Sequence, residues 1–183
     1  MWLRLNRLKT ITGTFEDITL EIVPESPPLE EHERSVISPN YPTVLGYVHI
    51  YLDGKNRTKK VPSAYVMFLI DHLLGKFEQL LQGEVVIAEW VSDPWQFELT
   101  PLVEQNRLKI TLHVPNKWVA LQNVDIPLSQ FYAEVIHAAE QWKMYLAQHY
   151  GDEIENPDKN RDYQKYEQFI EIAKNVLQEY ISL

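Results

Sequence analysis

No cysteine occurs anywhere in the 183 residues. That excludes a disulfide framework, thiolate zinc sites and a thiol nucleophile, and it suits a reducing compartment. Glycine is scarce too: there are six, scattered along the chain. No Gly-rich loop runs into Lys-Ser/Thr, and no G-x-G-x-x-G, G-x-S-x-G or H-E-x-x-H pattern is present. Nor is there an uninterrupted apolar stretch of the roughly 18 to 20 residues that a membrane span requires. These absences argue against nucleotide-dependent chemistry, a cofactor, a bound metal and a membrane role. The opening residues alternate apolar with basic side chains rather than forming the apolar block of a signal peptide. They read as a strand, Trp2 to Leu8, and the expected location is the cytoplasm.

What the chain does hold is negative charge, a formal net of −9. Residues 1–61 balance eight basic against eight acidic side chains, residues 62–126 carry four against eight, and residues 127–183 carry five against ten. An acidic field of this kind repels nucleic acid and favours encounter with basic partners, although solubility alone would also account for it. The one basic cluster, Lys55-Asn56-Arg57-Thr58-Lys59-Lys60, lies beside Tyr47 and Tyr51, a combination that can grip single-stranded nucleic acid. Lysines at a hairpin tip also serve to block edge pairing, and the rest of the surface opposes a polyanion, so nucleic acid is not the expected partner.

The hydrophobic period changes at Ile126-Pro127. Upstream, Trp95, Phe97 and Leu99, then Leu108, Ile110, Leu112 and Val114, recur every second residue, as a sheet with one buried face requires. Downstream, Leu128, Phe131, Val135, Ala138 and Trp142 follow helical spacing. The expected fold is a single α+β domain over 1–183, with an antiparallel sheet of about six to eight strands and three helices on one face. A strand around Ile18–Ile22 would pair with the first strand across Gly13. Residues 24–42, with five of the eleven prolines, form a long acidic loop. Leu45–Leu52 is a strand turning at Asp53-Gly54, and a helix runs from Pro62 to about Gln82, stopped by Gly83. Gly75 in the middle of that helix suggests close contact with a neighbour.

Val85–Val91, Trp95–Leu99, Leu108–Val114 and Trp118–Val124 form a four-strand meander, because such short connections force antiparallel neighbours. Residues 127–183 then form a helical hairpin. Its first helix runs to Tyr150 and ends at Gly151, and its second starts at Pro157 with Asn156 as N-cap.

The six histidines, at 32, 49, 72, 113, 137 and 149, include no i, i+4 pair. His137 and Glu140 lie three apart, but carboxylate-bridged metal sites need two such motifs on facing helices. His49 and His113 sit opposite apolar strand neighbours, which is the pattern of solvated strand histidines, and Asp71 points away from His72 on a helix. The acids from Asp152 to Asp158 do not follow the spacing of an EF-hand loop and read as complements to a helix dipole. Most tryptophans read as core. Trp118, next to the turn at Pro115-Asn116, is the candidate binding anchor.

No catalytic residue and no metal ligand is assigned on this basis. The expected function is binding of a protein partner, one of basic character, in the manner of an inhibitory or immunity-type protein. The contacts would come from Glu30, Glu31 and Glu33 in the acidic loop, from Trp118, and from Asp152, Glu153 and Glu155. Two alternatives stand beside it. One is an enzyme of unfamiliar type built on Glu89, Asp93, His49 and His113. The other is a scaffold that forms a homodimer through the C-terminal helices, burying the tyrosines of the last one between subunits.

Overall fold

The computed structural model describes residues 10–25, 44–90 and 94–182. Two four-stranded antiparallel sheets share one apolar core with the helices. The first sheet contains β1 (Ile18–Pro24), β2 (Leu45–Leu52), β3 (Lys55–Asn56) and β4 (Ala64–Tyr65). The order is β1-β2-β3, with β4 also pairing with β2. The expected β2 is found with its predicted limits. At its end Asp53 (φ 47°) and Gly54 (φ 69°) make a two-residue turn with both residues left-handed, the geometry that matches strand twist in tight hairpins.

β1 pairs with β2, Ile18 opposite Leu52 through Pro24 opposite Gly46. The anticipated partner of β1 across Gly13, residues 2–8, lies outside the described residues. Residues 11–14 run parallel to a distant strand in the other sheet. Most of the 24–42 segment is likewise outside the described residues.

A short helix α1 (Val66–Leu74) and a single turn α2 (Phe77–Leu81) replace the continuous helix expected from Pro62 to Gln82. The break falls at Gly75, which is exposed. A Cβ there would meet only the Asp71 carbonyl, so the glycine marks the interruption of a helix and not a close approach by a neighbour. Gly83 (φ 83°) does end α2: its N–H reaches the Leu80 carbonyl, and the Glu84 N–H reaches that of Gln79, a complete Schellman motif.

The second sheet is the expected meander, β5 (Val86–Glu89), β6 (Gln96–Leu102), β7 (Arg107–Val114) and β8 (Trp118–Pro127), in that order. Its outer edge is closed by the chain's own early residues, with Ile11 bridging Leu121 and Thr14 bridging Asp125 in parallel. Arg107 locks this addition. Its guanidinium donates to Asp125 Oδ1 (2.7 Å), to Glu16 (3.0 Å), and to the carbonyl oxygens of Phe15 and Asp125.

Two long helices complete the core. α3 (Leu128–Ile154) presents Phe131, Val135, Ala138, Trp142 and Leu146 inward and packs on β1, α1 and the meander. It does not stop at Gly151: Tyr150 leaves helical geometry (φ −133°, ψ 24°), and the helix resumes for one more turn. α4 (Arg161–Ser182) returns antiparallel, tied by Lys143–Glu167 (2.9 Å), Lys174–Glu140 (2.6 Å) and a buried bond from Tyr166 OH to the Ala139 carbonyl (3.0 Å). Asn156 caps the connection, its Oδ1 accepting from Asp158 N, but regular helix begins only at Arg161. Among the described residues no helix is long and apolar enough to cross a membrane.

Candidate functional site

β1 lies at the border of its sheet, and alternation along an antiparallel strand fixes what it offers there. The odd residues turn their backbone groups towards β2, as the bonds Asp53 N–H to Asp17 O and Glu25 N–H to Leu45 O show. The even residues therefore point outward. Two of their groups are met by side chains of α3: Gln130 Nε2 donates to Ile18 O (3.4 Å), and Leu20 N–H donates to Glu134 Oε2 (3.1 Å). Among the described residues nothing meets Leu20 C=O, Ile22 N–H or Ile22 C=O. Pro24 has no N–H to offer and closes the edge.

Gln130, Glu134, His137 and Gln141 follow steps of four, three and four, so they form one polar stripe along α3. That stripe faces β1 across an open groove of about 600 Å³ lined by Leu20, Glu21, Ile22, Glu134, His137 and Ala138, among others. Among the described residues no lysine or arginine lines it. Glu21 is oriented by Tyr51, whose hydroxyl donates to Glu21 Oε2 at 2.6 Å. That bond to a carboxylate pushes the phenol's pKa up. Nearby, Gln130 also donates to Asp17 (3.2 Å), and Glu25 accepts from Ser63 (3.0 Å). The basic side chains of Lys55 to Lys60 begin on β3, the opposite border of the same sheet. One of them, Arg57, lies over the Phe15 ring.

The residues singled out from sequence do not gather in one place. Glu30, Glu31 and Glu33 lie outside the described residues. Trp118 is 47% exposed at the start of β8, while Trp90, Trp95 and Trp142 are core. Asp152, Glu153 and Glu155 are not at a helix start as expected. Asp152 and Glu153 occupy the last turn of α3 and Glu155 is its C-cap, the negative end of the dipole, where acids are disfavoured. The acid–histidine set is divided as well. Glu89 and His113 share a row on the meander with Gln96 between them, and His49 lies on the other sheet, stacked on Tyr47. Asp93 is outside the described residues. Among the described residues no group of three or more His, Asp or Glu is placed to hold a metal ion.

Asp71 is the described carboxyl with a resolved shift. It is partly buried where α1 meets α4, its Oδ1 has no hydrogen-bond partner, and burial pushes its pKa up to about 7. Lys165 opposes that rise and Asp162 adds to it. Asp71 does not line the groove beside β1. Compared with protein-family models, with curated proteins and with solved structures, the chain matches none.

Proposed function

We propose that the protein acts by binding a basic protein, as an inhibitory or immunity-type partner in the cytoplasm. The observation that carries the reading is the β1 border: backbone groups of Leu20 and Ile22 that no described residue meets, beside Glu21 and Glu134, in a groove that no described lysine or arginine lines. Bordering groups of this kind are what protein partners pair with, and acidic lining selects basic ones and speeds their approach. The acids Asp152, Glu153 and Glu155 at the end of α3 add to the negative surface, and Trp118 is an exposed aromatic available to a large partner. The homodimer alternative relied on the tyrosines of the last helix, of which Tyr163 and Tyr166 are buried inside the chain's own α3–α4 pair and the partly buried Tyr180 donates to the Val103 carbonyl (3.4 Å).

Titration calorimetry of the whole chain with poly-lysine, at about 50 and about 200 mM salt, tests this reading. Binding that weakens several-fold at the higher salt is expected, since surface charge attraction is screened over about 10 Å at 0.1 M. Absence of binding at either salt would refute it.

A further inference from the structure

We infer that the occupant of the β1 groove is an extended, basic segment of the partner, which adds to the first sheet as a further strand beside β1. This rests on the reading of the protein as a binder of basic proteins. Three observations carry it. The groups that no described residue meets, Leu20 C=O, Ile22 N–H and Ile22 C=O, recur at two-residue spacing along one line, about 6.7 Å apart for like groups. Only another extended backbone presents donors and acceptors at that repeat, and a helix or a compact side-chain cluster does not.

Second, Glu134 already sits where a neighbouring strand's carbonyl would sit, accepting from Leu20 N–H. An incoming carbonyl replaces it and releases its carboxylate to a cation. Third, the two walls differ. The outer side carries Glu21, held in place by Tyr51, and the α3 side carries Ala138 between His137 and Gln141. A strand in the groove therefore alternates, with lysine or arginine on the outer side and a small apolar residue against Ala138.

A short peptide of alternating lysine and valine is the probe, added to the full chain. Backbone amide exchange is read at Leu20 and Ile22, and affinity by calorimetry. The inference expects exchange at Ile22 to slow roughly tenfold and affinity to fall roughly tenfold when the peptide nitrogens facing β1 are methylated. Methylating the alternate nitrogens leaves binding intact, and the glutamate–valine peptide does not bind. Joint Glu21→Gln and Glu134→Gln substitution weakens the lysine peptide while the melting temperature stays in place. Binding indifferent to methylation, with Ile22 unprotected, overturns the strand-addition inference but leaves a basic partner standing. Failure of both this peptide and poly-lysine to bind brings down both. Protection of Ile22 that rises with protein concentration and needs no peptide assigns the groove to a second copy and overturns the inference.

Discussion

At Asp71 the fold holds a carboxyl with one oxygen that no hydrogen bond reaches, facing Asp162, Lys165 and Tyr166 of α4. Its folded pKa, about 7, lies above the ordinary value of 3.8. Between those values the folded state binds more protons than the unfolded one, so stability falls as pH rises through that window and levels off above it. Asp71→Asn is expected to stabilise the protein by about 1 to 2 kcal/mol at pH 8 and by almost nothing near pH 4. The figure is held well below the full shift because the side chain keeps part of its contact with water. Urea titrations of both proteins at the two pH values check this.

Gly46 sets a second local constraint. A Cβ there would stand 2.8 Å from Val66 Cγ2 and 3.1 Å from the Val23 carbonyl, so Gly46→Ala is expected to cost about 1 to 3 kcal/mol by overpacking. A double-mutant cycle with Val66→Ala should show coupling between the two positions.

Between residues and fold, periodicity carried the reading wherever one face of an element is buried. Phe97 and Leu99 of β6, then Leu108, Ile110, Leu112 and Val114 of β7, are all core, as their alternation requires, and so is the α3 stripe from Phe131 to Leu146. Alternation breaks in β8, where neighbouring Ala120 and Leu121 are both buried next to an irregular register with β7. The partner of β1 was not readable, because pairing is decided by which edge is free after the core closes. The groove was invisible for a related reason. The stripe of Gln130, Glu134, His137 and Gln141 looks in sequence like any solvent face of an amphipathic helix, and only the placement of α3 beside β1 gives it a neighbour. At the end of α2, Gly83→Ala should cost about 1 kcal/mol in thermal or urea unfolding, since φ 83° strains a Cβ. Gly83→Asn should cost less, as asparagine tolerates left-handed geometry.

Across the whole molecule, Arg107 joins the early chain to the meander through both its charge and its geometry. Its side chain is 16% exposed, with Glu16, Asp125 and two carbonyl oxygens sharing its donors. Arg107→Ala is expected to cost about 2 to 3 kcal/mol, because it leaves the Asp125 carboxylate half-buried without its cation. Amide exchange at Ile11, Phe15 and Asp125 should rise before exchange at Ile110 or Leu112, which report on the sheet itself. Equal acceleration at all five would mean that the clamp supports the entire fold instead of one added strand.

The same clamp dictates an order of events during translation. Thr10 reaches Val119 across 109 positions of sequence, so the ribosome releases the beginning of this chain long before its resting place exists. Residues 10–16 must wait until β8 has emerged, and Ile18 and Leu20 must wait longer still for α3 to cover them. Contacts so distant close slowly, and nascent apolar strands are exposed in the interval. Newly made protein thus depends on its last third to shelter its first, and a ribosome stalled before α3 would hold a sticky, half-built sheet.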